Sequence, residues 1–121
     1  YYNQNDCPPW LKLFVNVDPI TYMTMLKSVK GCVGNSSSFV RDASFFGTPV
    51  IAIGNRQMGR LNSHHVKWIS NTELESLFHV MNRHFIKKLK PSNQYGTPGI
   101  SGHFVEVLKH IPVKRLKVHY E

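Results

Sequence analysis

Apolar runs of different period follow one another along the first half of the chain. "LKLFVNV", Leu11 to Val17, alternates apolar and polar positions and predicts a strand. Asp18 and Pro19 come next, a side chain able to cap a helix and then a proline at the first helical position, where its missing N–H costs nothing. Ile20, Met23, Leu26 and Val29 recur at helical spacing, with Gly31 as the predicted stop. "CVG" at residues 32–34 reads as a short strand, and a helix is expected from about Ser38 to Phe46. "GTP" turns the chain into "VIAIG", Val50 to Gly54, a continuous apolar run of the kind buried inside parallel sheets.

In the second half, "NRQMGRLNSHH" is polar and glycine-punctuated, so it predicts a loop, and "VKWIS" a short strand. Asn71 or Thr72 is expected to cap a helix running to about Leu89, with Leu74, Leu77, Phe78, Met81, Phe85 and Leu89 as its apolar stripe. After the loop "KPSNQYGTPG", Ser101 opens a last predicted helix that turns Phe104, Val107, Leu108 and Ile111 inward and ends at Pro112. Residues 113–121, "VKRLKVHYE", form a basic tail. Trp10, Trp68, Phe45, Phe46, Phe78, Phe85 and Phe104 are assigned to the core. Strands alternating with helices make this an α/β chain: one Rossmann-like domain over residues 1–121, with a parallel sheet and flanking helices.

Composition narrows the function classes. Hydrophobic residues at 41% and charged residues at 18% describe a globular chain. The net charge of +8 raises nucleic acid as a partner, yet eight of the fifteen basic residues lie from Arg83 onward, opposed there only by Glu106 and Glu121. A solvated basic face and tail account for that charge, and no RNA-binding signature or zinc-finger spacing accompanies it, so nucleic acid is not the expected partner. Cys7 and Cys32 make no disulfide framework, and no apolar run reaches the roughly 18 residues of a membrane span. A cytoplasmic protein without a membrane partner is expected. The opening "YYNQNDCPPW" lacks Met and reads as part of a longer protein. His64 and His65 are adjacent and His79 and His84 five apart, which are not metal-ligand spacings on a loop or helix, so no metal is expected. Cys32, within a buried strand, is expected to be inert.

The chemistry concentrates in "GNSSS" at residues 34–38, where the first predicted βα junction falls. A helix N-terminus presents unpaired N–H groups and a partial positive charge, and Ser36, Ser37 and Ser38 add hydroxyl donors for a phosphate. The same serines also suit plain helix capping, and both readings stay open on local sequence. Arg56 and Arg60 lie on the neighbouring strand-end loop, where a guanidinium can pair with phosphate oxygens. Asp42, one turn into the helix, suits a neutral diol such as a ribose. Together these residues describe a nucleotide, with its diphosphate on Ser36, Ser37, Ser38 and Arg56, Arg60 as a secondary phosphate contact, and its ribose on Asp42.

"VGNSSSFVRDASFFGTPVIAIGNRQMGR", Val33 to Arg60, closely resembles the signature of the UDP-N-acetylglucosamine 2-epimerases, hydrolysing branch. The likeness extends more loosely over "VDPITYMTMLKSVKGC" and "YGTPGISGHFVEVLKHI". The family pattern has a glycine where this chain has Phe39, a glutamate at Asp42, and YGDG where this chain has "YGTPG". The resemblance implies the C-terminal, UDP-binding domain of a two-domain GT-B fold, with UDP or UDP-GlcNAc as ligand and no cofactor. It implies elimination of UDP to a 2-acetamidoglucal and addition of water to give N-acetylmannosamine, the entry to sialic acid synthesis. Ser36 and Ser37 match the diphosphate serines, Arg56 the arginine of G-x-RQ, and Asp42 the ribose-holding glutamate. The catalytic acid and base are expected in an N-terminal domain that would be a partner of this one, and a homo-oligomer is expected as well. Two alternatives remain: half of another GT-B glycosyltransferase, and a non-catalytic nucleotide-sugar-binding or interaction module.

Overall fold

Three short strands lie side by side in a parallel sheet in the computed structural model, which describes residues 7–59 and 63–112. Strand β1 (Cys32–Gly34) pairs with β2 (Val50–Ile53), and β2 with β3 (Val66–Ile69). The register sets Cys32 opposite Val50 and Val50 opposite Val66. Central β2 reads as an unbroken apolar run because it is covered on both faces; Val50, Ile51 and Ala52 are fully buried.

Before the sheet, helix α1 (Pro19–Ser28) starts where the sequence predicts, because the Asp18 carboxylate accepts from the amides of Ile20 and Thr21 at 3.1 and 3.0 Å. It ends at Ser28, before Gly31, and of its apolar stripe only Leu26 is buried. Helix α2 (Ser37–Phe45) joins β1 to β2 as one βαβ unit and buries Val40, Ala43 and Ser44. Its C-terminus closes with paired bonds, Thr48 N–H to the Ala43 carbonyl at 3.0 Å and Gly47 N–H to that of Ser44 at 3.1 Å. Gly47 has φ +68°, and a Cβ there would stand 2.1 Å from the Leu89 carbonyl oxygen.

Four expectations are corrected. Residues 11–17 form no strand: among the described residues their alternation has no strand beside it to pair with, and Phe14 and Val15 are exposed. The helix expected from Asn71 or Thr72 to Leu89 begins as a 3₁₀ helix (Asn71–Ser76) after Ser70 and is α-helical only over α3 (Leu77–His84). It stops early because Leu89 and Ser92 are needed elsewhere, their amides donating to the carbonyls of Gly47 and Ser44 at 2.8 and 3.0 Å. Helix α4 (Ile100–His110) exists, but Phe104, Val107, Leu108 and Ile111 are all exposed. An amphipathic pattern records that a face favours burial; it does not supply the surface that buries it. Of the aromatic residues assigned to the core, Phe46 and Trp68 pack against it and Phe85 rests on Gly31, whereas Trp10, Phe45, Phe78 and Phe104 are exposed. The tail at 113–121 lies outside the described residues.

His65 joins the β3 side of the sheet to the segment after α3. It is fully buried, with Nε2 2.9 Å from the Lys90 carbonyl and Nδ1 2.6 Å from the Ser63 hydroxyl. A carbonyl only accepts, so Nε2 carries a proton, and in the neutral ring Nδ1 accepts from the Ser63 hydroxyl. Burial, and then the neighbouring His64, push its pKa below the ordinary 6.5 despite the bond to Lys90.

Two outcomes follow from these contacts. Gly47→Ala should lower stability by about 2 kcal/mol or more, read as a shifted denaturant midpoint with unchanged slope; a change below about 0.5 kcal/mol would contradict the Leu89 contact. Because the unfolded chain takes up the His65 proton near 6.5 and the folded chain does so only at lower pH, the stability His65 contributes is complete above that value. It declines as pH falls toward the folded-state pKa. Melting temperatures measured from about pH 7.5 to 5.5 should fall more steeply for the natural chain than for His65→Gln. Parallel curves would contradict the assignment.

Candidate functional site

The candidate residues gather beyond the carboxyl end of the sheet, where β1 runs into α2 and β2 runs into the loop after Ile53. Ser36 is the cap of α2, in extended conformation, and its hydroxyl accepts from the Ser38 amide at a long 3.3 Å. The chain forms a helix there because Ser36 can cap it, and because Phe39 and Val40 supply apolar side chains, Val40 buried and Phe39 packed against the core and Gly34. Ser36, Ser37 and Ser38 are half-buried, so they border solvent at the helix terminus that directly follows β1.

The Ser38 hydroxyl donates to Asp42 Oδ2 at 2.7 Å. Arg41 completes the arrangement, with Nε 2.8 Å from Asp42 Oδ1 and a second guanidinium nitrogen 3.3 Å from Oδ2. Partial burial works against the Asp42 charge, but the bonds from Arg41 and Ser38 outweigh it and hold the carboxyl below its usual range. A carboxylate offers about four acceptor positions, and three are in use, so a diol approaching Asp42 shares it with, or displaces, exposed Arg41. With its cation exposed to solvent, a pair of this kind is worth on the order of 1 kcal/mol, so displacement is inexpensive. Asp42 borders an open cleft of about 380 Å³ whose walls include Met23, Phe46 and Tyr95, a size and lining that admit a nucleoside.

Arg56 is exposed on the turn after β2, where the Met58 amide donates to the Asn55 carbonyl at 2.9 Å. What ties its loop to the serine turn is its neighbour, a residue the sequence did not single out. Gln57 is buried at 6% exposure, and its Nε2 donates to the Asn35 carbonyl at 3.1 Å. That bond joins the residue after Arg56 to the residue before Ser36. The sequence signal was present in "RQ" of the G-x-RQ element, but a glutamine in a polar loop reads as surface until its burial is seen. Arg60 lies outside the described residues.

The Cys32 thiol is buried, and desolvation pushes its pKa up to about 11, so it is protonated and inert at neutral pH. Among the described residues no three His, Cys, Asp or Glu side chains converge to hold a metal, and no helix is long and apolar enough to cross a membrane. The Ser36 cap itself is testable. Ser36→Ala should cost about 1 kcal/mol of stability and Ser36→Gly only a few tenths, by thermal denaturation; equal losses would mean that the hydroxyl does not cap α2.

No family model matches the chain. Over 67 residues it is 39% identical to the GDP/UDP-N,N'-diacetylbacillosamine 2-epimerase (hydrolyzing) of Campylobacter jejuni. The aligned stretch is 55% of this chain and 17% of that enzyme, so the chain matches less than a fifth of the relative's length. The similarity is therefore to part of a hydrolysing 2-epimerase, and it agrees in kind with a serine-capped, arginine-flanked site at the end of a parallel sheet.

Proposed function

We propose that the chain is the UDP-gripping, C-terminal part of a GT-B-fold hydrolysing 2-epimerase acting on UDP-GlcNAc. The observation that carries this reading is the start of α2 at Ser36, directly beyond β1, with the Arg56 loop bonded alongside it through Gln57 and Asn35. The amides and hydroxyls of Ser36 and Ser37 would hold the diphosphate and Arg56 would neutralise it. Ser38 would act through Asp42, steadying the carboxylate that receives the ribose hydroxyls.

In the proposed reaction the C1–O bond to UDP breaks as a proton leaves C2, giving the 2-acetamidoglucal, and water then adds to give N-acetylmannosamine. The leaving UDP carries the developing charge. The positive end of α2 and the Arg56 guanidinium would stabilise that charge more as the bond breaks than before, which is what accelerates a step. The acid and base that act on the ring are assigned to a preceding domain, so the chain by itself should form no N-acetylmannosamine from UDP-GlcNAc.

Calorimetric titration with UDP tests the reading. Saturable binding is expected, weakened about tenfold or more in Arg56→Ala, with uridine much weaker than UDP. Absence of binding at millimolar UDP, or unchanged affinity in Arg56→Ala, would overturn it.

A further inference from the structure

Gln57 has a peculiarity that packing does not explain. Its side chain is more than nine-tenths buried, Nε2 is bonded to the Asn35 carbonyl, and Oε1 is buried with no hydrogen-bond partner among the described residues. The assignment of the two amide atoms is forced, because a carbonyl oxygen cannot donate to the Asn35 carbonyl. An unmatched buried acceptor is destabilising, and a methionine of similar size would fill the same space without one. The half of the amide that is used, the donor to Asn35, is therefore the half with a task.

That task follows from the peptide group. The Asn35 carbonyl and the Ser36 N–H belong to one rigid trans plane and point in opposite directions. Holding the carbonyl fixes that plane, and with it the direction of the Ser36 N–H at the opening of α2. The same bond holds the backbone beside Arg56 against the serine turn, so one hydrogen bond sets both donors of the site.

We infer that Gln57 is the positioning residue of the anion site, its Nε2–H holding the Asn35 carbonyl so that the α2 amides and Arg56 address a single diphosphate. The inference rests on the diphosphate reading proposed above. It places Gln57 out of contact with the ligand, acting through Asn35.

The test uses Gln57→Glu and Gln57→Met with UDP as the probe, by calorimetry at about pH 7.5 and about pH 5, each affinity taken relative to the natural chain at the same pH. That ratio removes the titration of UDP's own terminal phosphate. At the higher pH the introduced carboxylate repels the Asn35 carbonyl, and affinity should fall about tenfold or more. At the lower pH burial favours its protonated form, whose O–H can donate, and affinity should return to within about threefold of the natural chain. Gln57→Met should stay weak at both, with its fold checked by circular dichroism, and it carries the test if the carboxylate variant does not fold at the higher pH. A loss in Gln57→Glu that does not change with pH, or natural affinity in Gln57→Met, would overturn the positioning role alone. A natural chain that does not bind UDP would overturn the site reading and this inference with it.

Discussion

Helix α2 buries Val40, Ala43 and Ser44 against the sheet, and a helix held that way must find partners for the peptide groups at both of its ends. Its C-terminal end meets the demand inside the protein. Thr48 and Gly47 fold back on the last turn, Leu89 and Ser92 donate from the segment after α3, and the Thr48 hydroxyl donates to the Leu26 carbonyl of α1 at 2.6 Å. Lys88 reaches the same Thr48 hydroxyl, its pKa lowered by burial. The termination of α3 at His84 and the course of residues 85–92 are consequences of that requirement. The N-terminal end is treated differently: among the described residues only the Ser36 hydroxyl, at a long distance, turns toward its amides. One pole of α2 is closed by the fold and the other is left with donors to spare, and the second pole is the candidate site.

The same asymmetry explains what could be read from residues alone. α1, β1, α2, β2 and β3 were legible because each carries local instructions: Asp18 and Pro19 at a helix start, Ser36 at another, an unbroken apolar run at β2. The strand expected at residues 11–17 and the long helix to Leu89 were not, because a strand exists only beside a partner and a helix only while its amides are not needed elsewhere. α4 has its helical period without a surface to receive it among the described residues.

At the site, the residue types were legible and their couplings were not. Serines, a carboxylate and arginines suggested a nucleotide, but the donation of Ser38 to Asp42 and the burial of Gln57 depend on which way side chains turn once α2 is docked. The proposed diphosphate reading requires fixed donors and a cation; the Ser36 turn and the exposed Arg56 loop bonded beside it are consistent with that, and the similarity to part of a hydrolysing 2-epimerase agrees in kind. In the proposed reading Arg41 on Asp42 competes with the ribose hydroxyls, so nucleotide binding would be read as release of the Arg41 guanidinium as well as capture of the ligand.

The central claim is a location: the open pole of α2 takes the diphosphate. The most direct measurement is an amide NMR titration with UDP and, separately, with inorganic pyrophosphate. The account predicts that the resonances of Ser36, Ser37 and Ser38 and the Arg56 side-chain signal move first and furthest with both ligands. The largest shifts appearing instead around Lys67 of β3 and Arg83 of α3, which line one basic cleft, with the serine amides unmoved, would contradict it.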